Sequence, residues 1–248
     1  SALRTPHSLR IVEVIQETPD VKTFRLENAE GKVPPHRPGQ FVKVCVTIDG
    51  RKVWRSFTVS SWSDRAEVID LTIKRNPGGE VSNWLHDRIG LGDVVTIKGP
   101  HGGFFFDADR HTEPLVLLSA GSGITPMMSI LRHLAATSNP RPCAFLHGAR
   151  TAADVIFAEE CRRIAETLPS VRYAVTLSQP PDHHSGLIGR LDIALVEQLV
   201  EGIPGNRYFL CGPGGFMATL REGLLAAGVS NDRIHTEQFH STPKVVMT

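Results

Sequence analysis

An all-β barrel followed by a doubly wound α/β domain is the architecture this 248-residue sequence predicts. Three observations carry it. Up to about residue 106 the chain runs as short alternating apolar segments separated by Gly, Pro, Asp or Asn, the pattern of antiparallel strands joined by turns. After Pro114 the rhythm changes to strand, turn, helix, repeated, and its first strand, at 115–119, is a nearly continuous apolar run, as a parallel strand buried on both faces requires. Between the halves lies a polar, Pro-containing stretch at 107–114, which divides the chain into a first domain over 1–110, a second over 111–240 and a tail over 241–248.

Each element follows from the same patterning. In the first half, residues 9–14, 21–26, 41–48, 56–60, 69–74 and 94–97 read as six strands, and 81–88 as a single short helix. In the second half, strands at 115–119, 143–147, 171–178 and 207–210 alternate with helices at 127–135, 154–168, 191–199 and 216–227. A doubly wound sheet of this kind takes its ligands at the carboxyl ends of the strands.

Composition excludes several classes. Lys and Arg number 27 against 26 Asp and Glu, a net charge of +1, which lacks the basic excess of a nucleic-acid binder. The longest apolar run is about six residues, far short of the ~20 that a spanning helix needs, so no membrane or signal segment is expected. Cys45, Cys143, Cys161 and Cys211 are scattered, with no C-x-x-C pair. That spacing argues against zinc or an iron–sulfur cluster and points to reduced thiols in a cytoplasmic protein. No metal site is expected: His183-His184 reads as a solvated pair, Arg162, Arg163 and Arg172 as solvated faces, and Met127-Met128 as core.

Four segments carry candidate chemistry. Arg55-Ser56-Phe57-Thr58-Val59-Ser60-Ser61 lies on a predicted strand and is expected to present a cation, an aromatic ring and a hydroxyl on one side of the sheet. A flavin diphosphate calls for those groups: Arg for phosphate, a ring to pack on the isoalloxazine, and a hydrogen-bond partner near N5. An ordinary amphipathic strand would read the same way. Gly78-Gly79-Glu80-Val81-Ser82 leads into a short helix whose free N–H groups, with the Ser82 hydroxyl, suit a pyrophosphate, although a plain helix cap looks similar. Ser119-Ala120-Gly121-Ser122-Gly123-Ile124-Thr125-Pro126 joins an apolar strand to a helix with glycines that admit a dinucleotide, matching only half of the G-x-G-x-x-G pattern. Cys211-Gly212-Pro213 places a soft thiol at the carboxyl edge of the last predicted strand, where a small buried hydrophobe is the common alternative.

Taken together and in this order, closing with Glu237-Gln238-Phe239, these segments resemble the signature set of the ferredoxin–NADP reductase superfamily over residues 8 to 240. The resemblance is strongest to bacterial NADH-linked reductases that serve oxygenases, flavohaemoglobins and the hybrid-cluster protein; Arg150-Thr151 with residues 154–159 is similar to the last. It implies FAD bound by Arg55 and Ser56, with Phe57 on the isoalloxazine or ribityl chain and Thr58 near N5, at positions where the family usually has Tyr and Ser. It further implies that Ile73 and Lys74 meet the ribityl–phosphate stretch, and Gly79, Val81 and Ser82 the pyrophosphate. Gly121, Gly123 and Thr125 would bind the nicotinamide nucleotide, with Cys211 and Gly212 beside its ring, Phe239 shielding the flavin and Glu237 nearby.

The expected activity is that of a flavoprotein reductase that takes a hydride from NADH, rather than NADPH, onto FAD and passes electrons singly to an iron–sulfur or haem partner. An FMN-dependent member of the superfamily, or a flavin-binding electron-transfer or sensor subunit that does not oxidise NAD(P)H, are the alternatives. Residues 240–248 read as a linker opening a further domain, often a ferredoxin in related reductases, whose C-x₄-C-x₂-C spacing this chain lacks.

Overall fold

The computed structural model describes residues 5–62, 64–65 and 67–239; the expected tail lies outside them. Six strands form the first sheet: β1 (His7–Thr18), β2 (Val21–Glu27), β3 (Phe41–Ile48), β4 (Arg51–Thr58), β5 (Val68–Lys74) and β6 (Val94–His101), in the order β4-β3-β6-β1-β2-β5. All neighbours are antiparallel. The sheet curls until its edge strands meet at an isolated bridge between Val59 and Leu71. Leu9, Ile11, Phe24, Val44, Leu71 and Ile97 fill the barrel, each no more than 2% exposed. Helix α1 (Glu80–Arg88) lies between β5 and β6 and lends Val81 and Leu85 to the same core.

β4 corrects the expected strand at 56–60. It starts at Arg51 because Asp49 and Gly50 both take positive φ (49° and 76°), a two-residue hairpin turn that pairs Ile48 with Arg51. Its charged first half is tolerated because β4 is an edge strand.

The second sheet is wholly parallel. It comprises β7 (Leu115–Ala120), β8 (Cys143–Ala149), β9 (Val171–Leu177), β10 (Leu187–Ile188), β11 (Arg207–Cys211) and β12 (Ile234–Glu237), in the order β10-β9-β8-β7-β11-β12. The chain winds outward from β7 to β10, then returns to the other side of β7, so the strand order reverses between β7 and β11. Helices α2 (Ile124–Ala136), α3 (Ala158–Thr167), α4 (Ile193–Leu199) and α5 (Gly214–Ala226) cover its faces. The helix expected over 154–168 starts later because Phe157 sits in the left-handed region, at φ 60°, as the residue capping α3.

Phe104 and Phe106, which follow the barrel, pack in one cluster with Val21 of β2 and with Leu117, Met128 and Phe209 of the second half. The two halves therefore share a core. At full burial Met127 and Met128 are core residues, as expected.

Candidate cofactor site

The reversal of strand order between β7 and β11 opens a crevice at their carboxyl ends, the position where doubly wound sheets bind dinucleotides. The segments that follow β7 and β11 meet there. Gly121–Gly123 forms a tight helical turn after β7, and a Cβ on Gly123 would lie 2.1 Å from the Cys211 carbonyl oxygen and 2.9 Å from the Gly212 nitrogen. Gly121 takes φ +55° with open space above it, leaving its backbone accessible. A Cβ on Gly212 would meet the Phe216 ring at 2.7 Å. Thr125, almost fully buried, donates from Oγ1 to the Ser122 carbonyl at 3.2 Å and so closes the turn.

A cleft of about 810 Å³ runs outward from this crevice. Ala120, Gly121 and Ser122 form its floor; Arg150, Asp154, Ser178, Gln179, Arg190 and Asp192 line its far wall. Asp20, Val21 and Lys74 line it from the barrel, with Lys74 Nζ 3.8 Å from Asp20. Lys74 thus faces the cleft between the halves, beside Asp20. Arg190 escaped the sequence reading because it follows β10, a strand of only two residues.

Cys211, Ser119 and His147 lie side by side across three adjacent strands, and Glu237 pairs with Cys211 on the other flank. Cys211 is fully buried, and burial together with the nearby Glu237 carboxylate pushes its thiol up. Burial raises Glu237 as well. Ser119 Oγ lies 2.7 Å from His147 Nδ1, and burial lowers His147 to about 4, so the ring is neutral near pH 7. Phe239 follows β12 by two residues and is 41% exposed.

On the barrel, register separates what the sequence reading placed together. Arg55 and Phe57 oppose Val44 and Val42, whereas Ser56 and Thr58 oppose Lys43 and Phe41. Arg and ring therefore share one face of β4, while the Thr58 hydroxyl leaves from the other, because strand side chains alternate. Arg55 Nη1 donates to the Trp54 carbonyl at 2.8 Å, and Phe57 packs part-buried against the barrel core. The side chains of Ile73 and Val81 are inside that core, which leaves only their backbones to a ligand. Ser82 Oγ is taken up in its own turn, accepting from Asn76 N at 3.2 Å and donating to Gly79 O at 3.4 Å. A Cβ on Gly79 would strike it at 2.6 Å.

The arrangement fits FAD. α1 follows Gly79, a residue with no side-chain cap, so the N–H groups of Glu80, Val81 and Ser82 in its first turn are free to face a diphosphate, while Gly79 N donates to the Asn76 carbonyl at 2.9 Å. The edges of β4 and β5 stay open except at the Val59–Leu71 bridge. Among the described residues no group of His, Cys, Asp and Glu could hold a metal ion, and no helix is long and apolar enough to cross a membrane.

Comparison with known proteins agrees with this geometry. The oxidoreductase FAD-binding domain family matches residues 8–106 and the oxidoreductase NAD-binding domain family residues 117–222. The glycine betaine monooxygenase reductase subunit of Chromohalobacter salexigens is 35% identical over 240 residues, 96% of this chain and 65% of its own. A flavohemoprotein of Bordetella pertussis is 35% identical, over 93% of this chain and 60% of its own. The chain thus spans somewhat under two thirds of these relatives' lengths. Among solved structures, the flavohem-like FAD/NAD-binding domain of nitric oxide dioxygenase from Vibrio cholerae superposes with a TM-score of 0.85 at 30% identity, over 94% of this chain and 98% of that one. The chain belongs to the ferredoxin–NADP reductase superfamily, oxidoreductases in which an FAD-binding barrel precedes an NAD-binding α/β half.

Proposed function

We propose that this chain is the flavin–nicotinamide module of an electron-transfer reductase, with residues 1–110 binding FAD, residues 111–240 binding NADH, and the electrons leaving singly for an iron–sulfur or haem centre. The observation that carries the reading is the cleft between the halves, walled by the nucleotide turn Gly121–Gly123 on one side and by Lys74 and Asp20 on the other. The names of the relatives, an oxygenase reductase subunit and a flavohemoprotein, support such an acceptor, in a further domain or a separate chain. Four free cysteines support a reducing compartment, the cytoplasm.

Bound FAD supplies two-electron acceptance from the nicotinamide and one-electron release. The chain supplies position. Arg55 gives the diphosphate charge-assisted hydrogen bonds, worth roughly 1.5–3 kcal/mol each. The first-turn N–H groups of α1, from Glu80 through Ser82, add a favourable dipole end. Phe57 backs the ring system, Phe239 covers it, and Thr58 offers a hydroxyl from the opposite side of β4. Gly121, Gly123 and Thr125 seat the nucleotide, while Cys211, Gly212 and Glu237 border the place of its reacting ring. No general base is needed for a hydride step. The buried Cys211 thiol, raised by burial and the nearby Glu237 carboxylate, is suited to staying protonated and uncharged beside it.

Acid extraction of the purified protein should release FAD, and anaerobic NADH should bleach the flavin within one turnover. Arg55→Ala should lose flavin on purification. Release of FMN, or flavin that NADH leaves oxidised, refutes the assignment.

A further inference from the structure

We infer that Ser129 and Arg132 of α2 are positioning residues for hydride transfer, which fix the nucleotide turn relative to the flavin-bearing end of β4 without touching either cofactor. The inference rests on the reading above for Gly121–Thr125 and Thr58.

Thr125, Ser129 and Arg132 stand at i, i+4 and i+7, one stripe along α2. At 1.5 Å per residue the stripe runs roughly 10 Å, from the nucleotide turn to the barrel. There two consecutive carbonyls receive it. Ser129 Oγ, fully buried, donates to the Ser61 carbonyl at 2.9 Å, and Arg132 Nη1 donates to the Ser60 carbonyl at 2.6 Å. Ser60 lies two residues beyond Thr58, the last residue of β4.

Both ends of the connection are stiff. Arg132 makes two hydrogen bonds to the Glu160 carboxylate, at 2.8 and 2.7 Å, and its guanidinium stacks 4.7 Å from the centre of the Phe157 ring. Glu160 stands in the first turn of α3, so Arg132 ties two helices of the second half to one carbonyl of the barrel. The receiving segment is fastened in turn. Ser60 N donates to Asp70 O at 2.9 Å, Asp70 N to Ser61 Oγ at 3.0 Å, and Ser60 Oγ lies 2.8 Å from Thr72 Oγ1. Thr72 Oγ1 continues to Thr23 Oγ1 at 2.8 Å. The halves also meet through the apolar cluster around Phe104 and Phe106, which tolerates sliding, and at the boundary segment, where Arg141 Nη2 donates to the Ala108 carbonyl at 3.1 Å; the two bonds from α2 are directional and fix the register beside the end of β4. Hydride transfer is acutely sensitive to such register, since a misplacement of about 1 Å can cost about 100-fold in rate.

Stopped-flow reduction of the FAD-loaded protein tests this. In Arg132→Gln the limiting rate with NADH should fall about tenfold or more, with the apparent Kd for NADH changed less than about threefold. Reduction of the same protein by dithionite, which needs no docked nicotinamide, should stay at the wild-type rate. Arg132→Lys, which keeps one donor for Ser60, should recover part of the loss, and Ser129→Ala should slow the NADH step less than Arg132→Gln. If Arg132→Gln does not fold, Ser129→Ala and Glu160→Gln decide by the same comparison. NADH-limited rates at the wild-type value in the FAD-loaded variants overturn the inference, as does a parallel fall with both reductants. A wild type that binds FAD and is not bleached by NADH overturns the functional reading itself.

Discussion

A methyl group on Gly123 would lie 2.1 Å from the carbonyl oxygen of Cys211, closer than unbonded carbon and oxygen can approach. The obstacle is backbone, so no side-chain rotation relieves it. β7 and β11 are held at this separation by continuous pairing from Leu115–Arg207 to Ser119–Cys211. Gly123→Ala should therefore cost more than the ~1–3 kcal/mol typical of overpacking, and should lower the melting temperature sharply or prevent folding. Gly121→Ala meets no atom within 4 Å and should cost only about 1–2 kcal/mol for its left-handed φ. Thermal melts of the two variants check the contrast; equal losses would place the constraint elsewhere.

Cys211 and Thr58 are expected to tune the hydride step rather than to hold the flavin. Cys211 is fully buried with its thiol pushed up, which makes it a poor nucleophile at neutral pH. Folded protein should therefore resist alkylation at Cys211 while half-buried Cys45 reacts. Cys211→Ala and Thr58→Val should each slow flavin reduction about fivefold, the effect of losing a ~1 kcal/mol contact, with FAD content retained. Reduction at the wild-type rate would make Cys211 merely a packed thiol.

The glycine turns were legible in the sequence because their requirements are local: a strand, a left-handed or crowded residue, a helix start. The strands of the barrel were legible as well, except where Arg51, Lys52 and Arg55 on edge strand β4 hid the alternation. β10 and β12, with two and four residues, are too short to carry a period. Ser129 and Arg132 were invisible for another reason. On an amphipathic helix, polar residues read as a solvent face, and only the docked barrel shows that Ser129 is fully buried against a carbonyl. Likewise, the hydroxyl expected on the side of Arg55 and Phe57 is not that of Thr58, which stands an odd number of residues from both and so projects from the other face of β4.

Stability should decline on the acid side of neutrality in two overlapping stages. Burial lowers His147 to about 4, and burial with the neighbouring Arg207 lowers His235 to about 4. An unfolded chain takes up protons at these rings near pH 6.5, so their contribution is complete above that pH and is lost as pH falls toward 4. For fully buried His147 this amounts to on the order of 3 kcal/mol. Glu113 is held down to about 2 by its two hydrogen bonds from Arg207, at 3.0 and 2.9 Å, and its contribution disappears as pH falls from about 4.5 to 2. Melting temperatures at pH 7, 5.5 and 4.5 should fall steadily, and His147→Asn should flatten the slope. A melting temperature constant over that range would show that these rings are not held neutral.

Nucleotide choice follows from the charges around the cleft. A 2′-phosphate asks for Arg or Lys at the ends of the second or third strand of the parallel sheet. Arg150 follows β8, and Arg190 adds a second cation, but Ser178 and Gln179 after β9 are neutral. Each arginine also has a carboxylate in the same wall: Asp154 is engaged by Thr151 through its backbone N–H and its hydroxyl, and Asp192 caps α4 by accepting from Leu195 N at 2.9 Å. Lys74 is balanced by Asp20 in the same way. The lining thus holds three cations and three anions, no surplus for a doubly charged phosphate. NADH should exceed NADPH in kcat/KM by about tenfold or more, the loss expected from ~1.4 kcal/mol of unfavourable contact. Gln179→Arg, which places a cation at the end of β9, should narrow that gap by raising kcat/KM for NADPH. Steady-state measurements with both nucleotides on the wild type and this variant check the argument, and a wild-type preference for NADPH would mean that Arg150 and Arg190 outweigh Asp154 and Asp192 at the nucleotide.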